Sequence, residues 1–221
     1  MTRRIPRALE PAGIVLVDKP AGISSFAVVA AVRRRTGART GHAGTLDPFA
    51  TGLLIVLSGS ATRLAQSFVK LDKRYVTEID LTARTSTGDP EGDLLERHDP
   101  PARAELDERL EALRGEVELP IPAASAVKIG GERAYRLHRR GIAVEMPVRR
   151  SFVSVLDIVG LTDESVTLEL RVSSGTYVRS LADALGGHCR SLRRTEIGPF
   201  GVDEANEERI IPPDEALARL A

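Results

Sequence analysis

Twelve residues in the first quarter of the chain constrain it most: Gly41-His42-Ala43-Gly44-Thr45-Leu46-Asp47-Pro48-Phe49-Ala50-Thr51-Gly52. They hold three glycines, a histidine, two threonines and a single acid, and they lead directly into the apolar run 53–57. Glycine lets the backbone adopt positive φ and lets another group come close to it. Pro48 fixes its own φ and drives Asp47 towards an extended conformation. The pattern predicts a rigid loop that presents one carboxylate and one imidazole to a cleft. A plain Asp-Pro turn, with the carboxylate bonded to its own backbone, accounts for Asp47 and Pro48. It leaves His42 and the flanking glycines without a reason.

Periodicity places this loop among elements of both kinds. Residues 14–17 form a short apolar strand that runs into the turn at Lys19-Pro20, and Ser24 or Ser25 caps a helix that continues to about Arg35 and stops at Thr36-Gly37. Residues 53–57 read as a buried strand, and 61–68 as a short helix. Tyr75, Thr77, Ile79 and Leu81 alternate with Val76, Glu78, Asp80 and Thr82, which gives a strand with two distinct faces. A polar loop covers 85–93; Leu106, Leu110 and Leu113 mark an amphipathic helix with Gly115 as its stop. Val166, Leu168, Leu170 and Val172 alternate in a further strand, and 177–185 reads as a helix. Antiparallel-type strands mixed with helices predict an α+β domain.

Composition narrows the class. No apolar run approaches the length needed to cross a bilayer, and Pro6, Arg7, Glu10 and Pro11 interrupt anything like a signal peptide, so the cytoplasm is the expected compartment. Cys189 is the single cysteine, which excludes an internal disulfide and a multi-cysteine zinc site. His98, His138 and His188 lack acids or cysteines at ligand spacing, so no metal site is expected. Net charge is zero, yet the charges are segregated: residues 31–74 carry eight bases against two acids, 128–150 seven against two, and 171–194 five against one. Residues 78–118 hold thirteen of the compensating acids. Basic segments that converge in space would make a face suited to phosphate, and 27 of the 31 bases are Arg, which binds phosphate in a bidentate way and stacks on bases.

Four other segments accompany the glycine-rich loop. They are Val17-Asp18-Lys19-Pro20-Ala21-Gly22, Asp72-Lys73-Arg74-Tyr75, Ser174-Gly175-Thr176-Tyr177-Val178-Arg179 and Leu192-Arg193-Arg194-Thr195. In residues, order and approximate spacing these five resemble the motifs of the TruB family of pseudouridine synthases, which isomerise uridine 55 in the T loop of tRNA. The likeness covers roughly residues 13–205, and five ordered motifs carry far more weight than any one alone. It implies the pseudouridine synthase fold: a mixed, mostly antiparallel sheet with flanking helices and a central catalytic cleft. The expected organisation is a flexible N-terminus at 1–12, a catalytic domain at 13–205 and a short C-terminal segment at 206–221, without the PUA domain that bacterial members usually carry. Ala124 departs from the pattern, because it stands where an aromatic residue is common.

The resemblance also implies roles. Pseudouridine formation breaks a glycosidic bond and rejoins the base through carbon, without redox change, so no cofactor is expected. A carboxylate can serve as nucleophile or charge stabiliser, and Asp47 occupies the catalytic aspartate position. Arg179 would hold that carboxylate ionised against desolvation. Tyr75 and Tyr177 would stack on or bond to the uracil, with Tyr75 also close to the chemistry, and Leu192 would supply an apolar wall. His42 reads best as a wedge in the space left by a flipped base. Lys19 and Pro20 buttress the loop. The expected partner is the T-arm of tRNA, bound by a monomer with no membrane and no metal. Rival readings are a guide-RNA-dependent relative, a non-catalytic RNA-binding or tRNA-folding module, and a glycosidase, for which no second catalytic carboxylate is evident.

Overall fold

The structure is a computed structural model that describes residues 12–220, and within it the chain forms two compact units. One comprises the residues up to Lys73 together with those from Arg193 onward; the other runs from Arg74 to Leu192. Of the expected flexible segment 1–12, residues 1–11 lie outside the described residues.

The first unit opens with β1 (Gly13–Lys19), α1 (Ser25–Thr36), β2 (Thr40–His42) and β3 (Thr51–Ser58), then a 3-10 turn at Gly59–Leu64 and α2 (Ala65–Val69). β1 and β3 pair antiparallel from Gly13↔Ser58 to Lys19↔Gly52, and β2 pairs antiparallel with the far end of β3. Both faces of this pair are covered, which is why 53–57 is apolar without a break. Ile14, Leu16, Leu53, Ile55 and Leu57 pack on one side with Phe68, Ile197, Phe200 and Ile211. Val15, Val17, Leu54 and Val56 pack on the other with Val28, Val29 and Val32 of α1. Each such side chain withdrawn from water contributes roughly 1.5–3 kcal/mol before conformational entropy is set against it.

Local chemistry fixes the ends of α1. The Ser24 side chain accepts from the Ala27 amide, and Gly37, at φ 66°, turns the chain left-handed while its N–H donates to the Arg33 carbonyl. Arg33, Arg34 and Arg35 sit in the last turn, where positive charge complements the helix dipole.

The second unit follows with β4 (Lys73–Asp80), β5 (Ala83–Thr85), β6 (Leu94–Arg97), α3 (Arg103–Ala112), β7 (Gly115–Pro120), β8 (Lys128–Ile129), β9 (Glu132–Arg133), α4 (Ala134–Arg139), β10 (Val148–Leu161), β11 (Ser165–Val172) and α5 (Val178–Ala184). The chain re-enters the first unit along β12 (His188–Ile197) and ends its described part with β13 (Phe200–Gly201) and α6 (Pro213–Ala218). In the second unit the strand order is β12-β4-β11-β10-β7, with β5-β6 and β8-β9 as separate pairs. The residues of β12 that belong to the first unit run parallel to β3, pairing Arg193↔Thr51 and Arg194↔Gly52, so the sheet is mixed. The α+β expectation therefore holds. Some boundaries differ. The helix expected at 61–68 is the 3-10 turn followed by the short α2, and the strand expected to reach Leu81 and Thr82 ends at Asp80. α3 ends at Ala112 with Leu113 as its cap, so that Gly115, at φ 76°, opens β7 instead of closing the helix.

Candidate active site

In the first unit, the loop that carries Asp47 leaves β2 at His42 and enters β3 at Thr51, and it is held on both sides of the aspartate. Lys19 is fully buried at the end of β1, and its Nζ donates to the carbonyls of Pro20 (2.9 Å), Ile23 (2.9 Å) and Pro48 (3.1 Å). The Gly22 amide donates to the same Pro48 carbonyl at 2.8 Å. One residue before Asp47, the buried Ser25 hydroxyl both donates to the Leu46 carbonyl (2.9 Å) and accepts from the Leu46 amide (2.8 Å). A buried ammonium is tolerable only if its donors are used, and here one of them fastens Pro48, which follows the aspartate, to the turn after β1. Asp47 itself is half-buried, and the Ala50 amide closes a turn onto its carbonyl at 3.2 Å.

Two of the three glycines are needed for their backbone. Gly44 and Gly52 stand at φ 100° and 103°, whereas Gly41 lies in β2 without a positive φ. A Cβ on Gly52 would lie 2.2 Å from the Arg194 carbonyl oxygen, so only glycine allows β3 and β12 to approach this closely.

His42 is half-buried, and its Nδ1 is enclosed with no hydrogen-bond partner among the described residues. Burial, and then the nearby Arg194 charge, hold its pKa below the usual imidazole value, so the ring is neutral at physiological pH. Lys73 behaves alike: burial first and Arg194 second push it down to about 8, against a smaller opposing effect of Asp72. Its Nζ donates to the Val69 and Leu71 carbonyls.

The second unit contains Tyr75, Tyr177, Arg179 and Leu192. Tyr75 is buried on β4, and Leu192 is buried on β12 as the unit's last residue. Tyr177 is half-buried at the N-cap of α5, where its carbonyl accepts from the Ser180 amide at 3.0 Å. Arg179, in the first turn of α5, is 3% exposed. Its Nη1 donates to the Thr87 carbonyl (2.7 Å) and stands 3.3 Å from Asp89 Oδ2; its Nη2 donates to the Ala124 carbonyl (3.0 Å). The backbone of Ala124, the position that departs from the family pattern, thus serves Arg179 whatever its side chain. Gly88, at φ 72°, lets the 85–93 loop close on Arg179: a Cβ there would come within 3.3 Å of the arginine Cβ.

The structure thus groups Lys19 and Pro20 with the Asp47 loop and, separately, gathers Thr87, Asp89 and Ala124 around Arg179. Three participants escaped the sequence reading. Ser25 read only as a possible cap. Asp89 lies in a segment that reads as a polar loop, although Gly88-Asp89-Pro90 repeats the acid–proline chemistry of Asp47-Pro48. Nothing within its motif distinguishes Arg194 from its neighbour Arg193. Among the described residues, no group of three His, Cys, Asp or Glu stands close enough together to hold a metal ion, and no helix is long and apolar enough to cross a membrane.

Comparison with known proteins bears on the whole arrangement. Residues 33–178 match the family described as TruB family pseudouridylate synthase (N terminal domain). The tRNA pseudouridine synthase B of Leifsonia xyli subsp. xyli is 46% identical, over 93% of this chain and 73% of its own length. That of Thermobifida fusca is 43% identical, over 93% of this chain and 78% of its own. Among solved structures, a chain from the crystal structure of a Cbf5-Nop10-Gar1 complex superposes with a TM-score of 0.67 at 28% identity, covering 89% of this chain and 52% of that one.

Proposed function

Because the chain belongs to the TruB family of pseudouridylate synthases, we propose that it converts uridine 55 in the T loop of tRNA to pseudouridine in the cytoplasm, with Asp47 as nucleophile. The reaction breaks the C1′–N1 bond, turns the uracil and joins C5 to C1′. The C5 proton departs and N1 gains one, so atoms and electrons balance without a cofactor.

The observation that carries this reading is the double grip on the Asp47 loop, by Ser25 at Leu46 and by Lys19 at Pro48. A carboxylate that must meet one atom of a flipped nucleotide gains most from being fixed before the substrate arrives. For Arg179 the proposed role is that of the family's arginine, a fixed cation; its burial and its three partners in the second unit favour this over a mobile phosphate contact. Tyr75 and Tyr177 hold the uracil, and Leu192 walls it. His42 fills the gap left in the RNA stack, a role that suits a neutral ring because no charge has to be desolvated. The exposed Arg33, Arg34 and Arg35 of α1 offer phosphate contacts to the T-arm.

The test is to incubate the purified protein with a tRNA transcript and map pseudouridine at single-nucleotide resolution. Modification of U55 is expected from the wild type. Asp47→Asn should fall by at least about 1,000-fold, roughly 4 kcal/mol of transition-state stabilisation, while still binding tRNA. Substantial turnover by that variant would remove Asp47 from its role, and modification confined to another uridine would remove the site assignment.

A further inference from the structure

Arg194 and Arg193 are neighbours on β12 with opposite circumstances. Arg193 is a surface residue whose guanidinium pairs with Asp18 at 2.8 Å. Arg194 is 1% exposed, and among the described residues no carboxylate pairs with it. An enclosed cation without a counter-ion is costly unless every donor finds an acceptor, so where its donors go is informative.

They go to the Asp47 loop. Nε donates to the Leu53 carbonyl at 2.7 Å, Nη2 to the Gly44 carbonyl at 3.2 Å and Nη1 to the Thr45 carbonyl at 3.5 Å. Gly44 and Thr45 lie on the leg that enters the turn, and Leu53 lies on the leg that leaves it. The main chain of Arg194 meets the same exit leg, since it pairs in parallel with Gly52. The charge is felt nearby as well, depressing the basicity of His42 and Lys73.

We propose that Arg194 is a positioning residue for the reaction: its planar fork clamps the two legs of the Asp47 loop together and so sets where the carboxylate stands. This rests on Asp47 being the reacting group. Lysine cannot substitute, because a single nitrogen lacks the spread of donors needed to bridge carbonyls on two legs. The clamp also complements the other two contacts. Ser25 and Lys19 fasten the turn close to the aspartate, and Arg194 fastens its base.

Arg194→Lys, assayed beside the wild type and Asp47→Asn, tests this. In single-turnover reactions at saturating tRNA, the lysine variant should be at least tenfold slower, with its Kd for tRNA within threefold of wild type. Hydrogen exchange at the amides of Ala43, Leu46 and Ala50 should accelerate, while those of Val15 and Val17 in β1 stay protected. A residue that merely stabilised the fold would lower the denaturation midpoint and leave the rate of the folded variant alone. A folded Arg194→Lys at the wild-type rate, or a loss confined to Kd, overturns the proposal. If the variant does not fold, exchange in the wild type decides. Amides at Leu46 and Ala50 as slow as those of β3 uphold the clamp, and exchange within seconds refutes it. Failure of the Asp47 assignment would show separately, as activity in Asp47→Asn.

Discussion

Replacing Asp89 with alanine tests whether Arg179 is held in place by the loop that faces it. Asp89 is 4% exposed, with Oδ2 at 3.3 Å from Arg179 Nη1. Its Oδ1 accepts from the Thr87 hydroxyl at 2.5 Å and from the Glu91 amide at 3.0 Å. Alanine removes one buried charge partner of Arg179 and also strips the Thr87 hydroxyl and the Glu91 amide of their acceptor, a combined loss of about 3–5 kcal/mol. Asparagine keeps an acceptor for Thr87 and Glu91 and loses only the charge, so it should cost roughly half as much. With a urea slope of about 2 kcal/mol per molar, alanine should lower the unfolding midpoint by about 1.5–2.5 M and asparagine by about 1 M. The assay is urea unfolding followed by circular dichroism, with tRNA turnover measured below the transition. Turnover should fall in both variants, because Arg179 loses a fixed partner. A midpoint shift of less than about 0.5 M for alanine would refute the argument that this buried pair orders the site.

Two further perturbations probe the first unit. Lys19→Met keeps much of the apolar stem but abandons the carbonyls of Pro20, Ile23 and Pro48. It should cost about 2–4 kcal/mol in urea unfolding and slow turnover at saturating tRNA; a variant as stable as wild type would show that water readily takes the place of the ammonium. Lys73, pushed down to about 8, is protonated in folded and unfolded chains alike below that pH. Between pH 8 and 10.5 the unfolded chain keeps a proton that the folded one has released, so stability should rise with pH relative to Lys73→Met, by up to about 1.4 kcal/mol per pH unit. Parallel stability curves for the two proteins from pH 7 to 10 would contradict the depressed pKa.

What could be read from the sequence was local. Ser24 and Gly37 mark the ends of α1 because a cap is satisfied within a few residues, by Ala27 and Arg33. The strand at 53–57 is visible because burial on both faces leaves no polar position. β10 is hard to see for the opposite reason. Its register slips between Val153 and Val155 and again between Ile158 and Gly160, and Phe152 and Val159 are exposed, so a period of two never establishes itself. β12 is obscured because its buried positions include Arg194. The site follows the same division. A conspicuous acid in a glycine-rich loop can be picked out, but Asp89 gains meaning only from Arg179, and Arg194 only from Gly44, Thr45 and Leu53, far away along the chain.

The nesting of one unit within the other has a consequence for biosynthesis. β1, α1 and β3 leave the ribosome early, yet Ile197, Phe200, Ile211 and Ala216, which cover one face of their sheet, are added only after the roughly 120 residues of the inserted unit. At 5–20 residues per second, that interval is on the order of ten seconds. The other face does not wait, because Val28, Val29 and Val32 are encoded between the two strands they cover. Through those seconds the nascent chain presents Ile14, Leu16, Leu53, Ile55 and Leu57 as a half-finished apolar surface, the kind that chaperones shield. The inserted unit is continuous in sequence and is free to fold in the meantime. Insertions or rare codons placed between residues 58 and 197 would lengthen that exposure, and those placed ahead of residue 13 would not.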